Sequence, residues 1–254
     1  MALGSSFAAG PALGRSAPGS PRQAGRSTRN YAHLVAQSLD LLLTDVTFSG
    51  ATTADLLSPG SSGEPAQIES VGLDTRLVTV TCGGNDVGYI PTLASASTPR
   101  ILHPHRLFHD PSRLATDSSA ADRALDRLGP NLRELARQIR QRGPSATVLF
   151  VDYLSVLPCD PSIPTKPLSR AAADLGRHIA HGLAQVTRES AEAEDCIVIA
   201  ASEASIDHHA WSADPWTNGR RFSLTGGAPF HPRRAGMRAV ADLIVDRLSG
   251  NDSP

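Results

Sequence analysis

Four short stretches of this chain carry side chains that can do chemistry together. The first is Gly4-Ser5-Ser6, directly after the apolar run Met1-Ala2-Leu3. The second is Ser49-Gly50, the third Gly83-Gly84-Asn85-Asp86, and the fourth Pro229-Phe230-His231-Pro232 near the far end. A serine hydroxyl is inert until a base removes its proton, and imidazole, which titrates near neutrality, is suited to that transfer. The N–H of a tight glycine turn and the carboxamide of Asn85 are donors able to stabilise a developing oxyanion. Each residue also has a plain structural reading: a turn serine for Ser5 or Ser6, a positive-φ turn for Gly50, an Asx-turn for Asn85, a helix cap for His231. What groups them is their position relative to strands and helices.

Residues 1–10 read as a strand feeding a tight turn, with a hydroxyl left at the strand's carboxyl end, which is where open α/β sheets bind ligands. Residues 11–26, rich in Gly, Pro, Ser and Arg, form a surface loop. Ser27 or Asn30 caps a helix through about Leu42, with Tyr31, Leu34, Val35, Leu39 and Leu42 on one face. Residues 43–48 read as a buried strand running into the turn 49–53, with a short helix from Thr53 capped by its own hydroxyl. Residues 57–64 form a linker. Residues 77–81 (LVTVT) are the clearest strand, β-branched and apolar as a parallel strand covered on both faces requires, ending at Cys82 and the glycine pair.

Further on, residues 99–113 are irregular and hold His103, His105 and His109. A helical pattern over 119–142 carries an expected break at Gly129-Pro130. Residues 146–153 form another buried strand, 154–167 a proline-rich loop, 168–193 a long amphipathic helix and 196–201 the last apolar strand. An irregular segment, 202–229, leads to His231-Pro232, which opens a closing helix to about Leu248 with Met237, Val240, Leu243, Ile244 and Leu248 inward. About five alternations of strand and helix predict one three-layer α/β/α domain over residues 1–254 with a mainly parallel, roughly five-stranded sheet.

Composition narrows the function classes. A formal charge of −1 over 254 residues offers no electrostatic capture of nucleic acid or anionic membrane. No apolar run reaches the ~18 residues of a spanning helix, so no integral membrane association is expected. The first residues lack a basic segment followed by an apolar core, so no signal peptide is read, and a cytoplasmic location is expected unless a longer secreted precursor exists. Cys82 and Cys196 lie in apolar runs as buried thiols; three unclustered cysteines argue against a disulfide framework or a zinc site.

The four blocks, in this order and spacing, resemble the SGNH (GDSL-type) hydrolase family. The stretches LGSSFAAG, TDVTFSGATTADLL, TVTCGGNDVGY and PFHPRRAGMRAVADLI look like its actinobacterial esterase and lipase branch. The resemblance covers essentially the whole chain and implies a flavodoxin-like SGNH fold. It also implies a serine esterase or lipase that acts on lipid or short-chain acyl esters, works as a monomer and needs no metal, nucleotide or other cofactor. Ser6 matches the family nucleophile and His231 its general base. Gly50 and Asn85 match the oxyanion donors, joined by the N–H of Ser6.

Two positions depart from the family pattern. Ser5 stands where the family has aspartate, and Ala228 stands where the family's acid lies, three residues before the histidine. By resemblance to relatives that use a main-chain carbonyl, the carbonyl of Ala228 or one next to it would accept from the imidazole Nδ1–H, giving a Ser–His dyad; Asp207 or Asp214 is the alternative partner. Phe48 and Trp211 occupy places where the resemblance would put cysteines, which also favours the cytoplasm. The histidines at 103, 105 and 109, with Asp110, lack a helical His-x3-His pair and read as solvated, as do His208 and His209. Trp211, Trp216, Phe222 and Phe230 are candidates to wall an acyl pocket. The competing functions are a weak or inactive binding module, suggested by Ser5 and Ala228, a carbohydrate O-acyl esterase, and an unrelated flavin-binding domain.

Overall fold

The computed structural model describes residues 1–60, 63–97, 118–220 and 226–250. Four parallel strands form its sheet in the order β1-β2-β3-β4: β1 (Ala2–Gly4), β2 (Leu77–Thr81), β3 (Thr147–Val151) and β4 (Ile197–Ile199). Helices fall between and around them: α1 (Ser6–Ala9), α2 (Tyr31–Ser38), α3 (Thr53–Leu57), α4 (Tyr89–Ser97), α5 (Ser118–Arg142), α6 (Arg170–Glu192), α7 (Ala201–Ala204) and α8 (Arg234–Ser249). Val78 and Val80 of β2 and Leu149, Phe150 and Val151 of β3 are buried, as strands covered on both faces must be. The cover consists of α5 packed on α6 and α2 packed on α8.

The sheet has four strands where five were expected. Residues 44–48 do run beside β1: the Ala2 N–H donates to the Thr44 carbonyl, Val46 N–H to Ala2, and Phe48 N–H to Gly4. Only one bridge forms, between Ala2 and Asp45. The Asp45 carboxylate turns back to accept from the Thr47 N–H and hydroxyl and from Asn30, so the segment spends its polar groups locally instead of extending a ladder. Counting this edge segment, the spatial order is second, first, third, fourth, fifth, the flavodoxin-like winding, whose switch point lies between β1 and β2. Ligands bind at such a point because the two neighbouring chain segments leave the sheet in opposite directions and open a crevice.

Other expectations change too. Of the two expected caps, Asn30 and not Ser27 starts helix α2, its side chain accepting from the His33 N–H, and the helix stops at Ser38 and not at about Leu42. Asp40 adopts a positive φ of 51°, and Leu42 is exposed. Helix α5 runs through Pro130 without the expected break. Its apolar stripe of Leu125, Leu128, Leu132, Leu135 and Ile139 is buried, mainly against α6, and that packing outweighs the ~3 kcal/mol a mid-helix proline costs. Helix α3 is capped by Thr52, whose N–H and hydroxyl donate to the Asp55 carboxylate, and not by Thr53. Helices α4 and α7 lie in stretches that carried no helical expectation.

Candidate active site

The turn after β1 needs glycine. Gly4 has φ +136°, and a Cβ there would lie 2.2 Å from the Thr81 carbonyl oxygen. That close approach lets β1 and β2 run side by side to their carboxyl ends, where the Ser5 N–H donates to Thr81 O at 2.9 Å. Gln67 clamps the same turn, accepting from the Gly4 N–H at 2.7 Å and donating to its carbonyl at 3.1 Å. Sequence reasoning missed Gln67 because nothing local marks a glutamine that reaches across 63 residues.

With the turn fixed, the two adjacent serines point to different partners. The Ser5 hydroxyl, fully buried, pairs with the Tyr153 hydroxyl at 3.0 Å. The Ser6 Oγ lies 2.8 Å from His231 Nε2. His231 Nδ1 lies 2.7 Å from the carbonyl oxygen of Pro229. A carbonyl can only accept, so Nδ1 carries the proton and Nε2 of the neutral ring is the acceptor facing Ser6. Burial holds the imidazole below its usual pKa, and the Pro229 carbonyl offsets this in part.

The carbonyl beside the imidazole therefore belongs to Pro229, the residue next to Ala228. The Ala228 oxygen instead accepts from the Asn218 side chain at 3.2 Å and from the His231 N–H at 3.2 Å, which leaves it part of the turn and not a partner of the ring. Phe230 sits between them at φ +58°, a left-handed conformation that costs of order 1–3 kcal/mol in a non-glycine residue. Its fully buried ring holds that conformation in place. Among the described residues no carboxylate bonds the imidazole. Asp214 lies by His208, its backbone oxygen 2.8 Å from that ring's Nδ1, and Asp207 lies near His209.

The Gly50 and Asn85 turns are tied together. Asn85 Nδ2 donates to the Ala51 carbonyl at 2.8 Å, which commits one amide hydrogen and leaves the other to point elsewhere. Asp86 accepts from the Thr53 N–H at 3.1 Å and from its hydroxyl at 2.5 Å. Burial raises the Asp86 carboxyl above its usual pKa, and the Thr53 bonds pull it back. Gly50 has φ +89°, with open space around its missing side chain. The Phe48 N–H to Gly4 carbonyl bond sets this turn beside the serine turn. The Gly50 and Asn85 turns are thus tied to each other through Ala51 and to the serine turn through Phe48, and Ser6 on that turn faces His231 from just before α8.

Comparison with known proteins gives the family and the fold. The model of the GDSL-like lipase/acylhydrolase family matches residues 2–239. The chain belongs to that family. It is a carboxylic ester hydrolase. Lipase 2 of Streptomyces coelicolor is 32% identical over 256 residues, covering 98% of this chain and 85% of that protein. A lipase of Streptomyces rimosus is 28% identical over 233 residues, covering 91% and 74%. Two solved structures share the fold: a phospholipase A1 from Streptomyces albidoflavus (TM-score 0.79, 22% identity) and an extracellular lipase from Streptomyces rimosus (TM-score 0.75, 23% identity), each with 97% of both chains covered.

His103, His105, His109, Asp110 and Phe222 lie outside the described residues. Trp216 stacks on His208 at 4.0 Å between ring centroids, and the Trp211 indole N–H donates to the Lys166 carbonyl. Cys82 and Cys196 are buried and Cys159 is exposed, all three as free thiols. Among the described residues no helix is long and apolar enough to cross a membrane.

Proposed function

We propose that this ester hydrolase works as a serine esterase or lipase through an acyl-enzyme on Ser6. The observation that carries the reading is the Ser6 Oγ to His231 Nε2 contact of 2.8 Å, with Nδ1 committed to Pro229. Ser6 Oγ attacks the ester carbonyl while its proton passes to Nε2. The negative charge that develops on the carbonyl oxygen is met by the N–H groups of Ser6 and Gly50 and by the free amide hydrogen of Asn85. Collapse of the tetrahedral intermediate breaks the ester C–O bond, and the Nε2 proton goes to the leaving alkoxide. Water then enters by the same path, giving its proton to Nε2, and the acyl group leaves as the acid with Ser6 restored.

Pro229 fixes the tautomer but stabilises the transient imidazolium less than a carboxylate would. The chain thus acts as a dyad. We read its substrates as lipid or short-chain acyl esters before carbohydrate O-acyl esters, because two relatives carry the name lipase. Nucleophile and base come from one chain, so residues 1–254 act as a single domain and a monomer suffices. The cytoplasmic placement rests on the cysteine pattern: Phe48 and Trp211 stand where the resemblance would put cysteines, which leaves the exposed Cys159 without an obvious partner.

Intact mass after incubation with a fluorophosphonate, followed by peptide mapping, tests the mechanism. One adduct on Ser6, lost in His231→Ala, is the expected result. An adduct on Ser5, or none, overturns it in favour of a degenerate binding module.

A further inference from the structure

Tyr153 lies two residues past the end of β3, and its ring is buried. Its hydroxyl accepts from the Gly84 N–H at 3.0 Å and pairs with Ser5 Oγ at 3.0 Å. The Gly84 N–H is the donor in the first of these bonds; in the second either hydroxyl can donate. Ser5 is the neighbour of Ser6, and Gly84 is the neighbour of Asn85. One hydroxyl thus bridges the two turns that present the proposed nucleophile and the proposed oxyanion amide.

Two further observations set this arrangement apart from incidental packing. The first is Gly84 itself. Its φ is not in the left-handed region, so its backbone does not call for glycine, yet a Cβ there would lie 2.7 Å from Cε1, Cζ and the hydroxyl of Tyr153. The missing side chain makes room for this ring. The second is the aromatic contact: Phe7 lies 4.4 Å from Tyr153 and 5.3 Å from His231 between ring centroids, so the same tyrosine backs the residue that flanks the base. The bridge also gives Ser5 a function. A short neutral hydroxyl meets the phenol in a fully buried site where an unpaired carboxylate would be costly.

We propose that Tyr153 is a positioning residue for ester hydrolysis, holding the Ser5-Ser6 turn and the Gly84-Asn85 turn at a fixed separation so that attack and oxyanion capture occur in one geometry. The proposal rests on the roles given above to Ser6 and Asn85. Misplacement of reacting groups by about 1 Å can cost on the order of 10²-fold in rate, which sets the scale of the effect.

The test uses the full chain. Wild type, Tyr153→Phe, Ser5→Ala and the double variant are titrated with a fluorophosphonate, and the adduct is mapped. Then kcat and KM per titrated site are measured on a p-nitrophenyl acyl ester, with inhibition by an alkyl boronic acid as a tetrahedral mimic. Tyr153→Phe keeps the ring, so the expected result is a kcat lowered roughly 10- to 100-fold with KM within about twofold, and boronate affinity lowered in parallel. Ser5→Ala loses less, and the double variant is no worse than Tyr153→Phe, because both act through one hydroxyl. A Tyr153→Phe enzyme with kcat per site within about twofold of wild type overturns the proposal, as does a change confined to KM or an additive double variant. If Tyr153→Phe does not fold, Ser5→Ala decides: unchanged kcat per site overturns the proposal, and a several-fold fall at constant KM supports it. A wild type not labelled on Ser6 removes the nucleophile reading and this proposal together, whereas normal labelling with an undiminished Tyr153→Phe removes only this one.

Discussion

The carbonyl oxygen of Pro229 lies 2.7 Å from Nδ1 of His231, in the place where a catalytic triad would put a carboxylate. This one relationship sets both the tautomer of the ring and its charge. A neutral carbonyl adds little to the stability of imidazolium, so burial dominates and the pKa of His231 falls below its usual value.

The pH profile follows from that direction. The base must be neutral to accept the Ser6 proton, and a lowered pKa keeps it neutral as the medium becomes more acid. The acidic limb of kcat/KM is therefore expected below pH 6.5, the ordinary histidine value, and a steady-state profile from pH 4 to 9 locates it. A limb centred above 6.5 would show that a carboxylate reaches the ring in solution.

Asn85→Ala removes the side-chain amide while leaving the turn's backbone. The expected loss is about 10²–10³ in kcat with little change in KM, as for other single oxyanion donors, and substrate-saturation kinetics check it. Asp86→Ala acts one step away, freeing Thr53 and with it the segment that carries Gly50. A fall of roughly tenfold in kcat is expected there.

Gly4→Ala is expected to fail as a fold and not as a catalyst. The added methyl meets the Thr81 carbonyl at 2.2 Å, in a φ that alanine avoids. Relieving that clash separates β1 from β2, at a cost of about 3–5 kcal/mol. Thermal melting should show a large drop in midpoint or no cooperative transition; a melt near wild type would contradict the close approach.

Asp152 is buried at the end of β3, where it accepts from the Ser202 N–H at 2.7 Å and from its hydroxyl. Burial pushes its carboxyl up to about 6 from 3.8. The folded state thus binds this proton more tightly than the unfolded chain does, and its contribution favours folding at low pH and is lost as pH rises from about 4 to about 6. Asp152→Asn removes that slope. Denaturant midpoints at pH 4 and pH 6.5 should differ less in the variant than in wild type; an unchanged difference would place the titration elsewhere.

The order of elements was legible where local pattern and packing agree. The LVTVT stretch is β2 to the residue because β-branched apolar side chains suit a strand covered on both faces. Asn30 caps α2 as its residue type demands. The pattern misled where tertiary contacts override it: Pro130 stays inside α5, and 44–48 lies along β1 without completing a strand.

By itself the sequence determined the four blocks, their order and the family they indicate, because residue types at turns reflect backbone demands that any reader of the chain can recognise. The family resemblance named Ser6, and only the tertiary structure decided whose carbonyl lies beside the imidazole and what stands opposite Ser5. Ser5 and Ser6 are adjacent and chemically alike, and they differ only in what the fold sets opposite each: a tyrosine from the segment after β3 for one, a histidine from just before α8 for the other. Those partners lie 148 and 225 residues away, and contacts over that distance are set by how the strands stack, which leaves no mark in the local pattern.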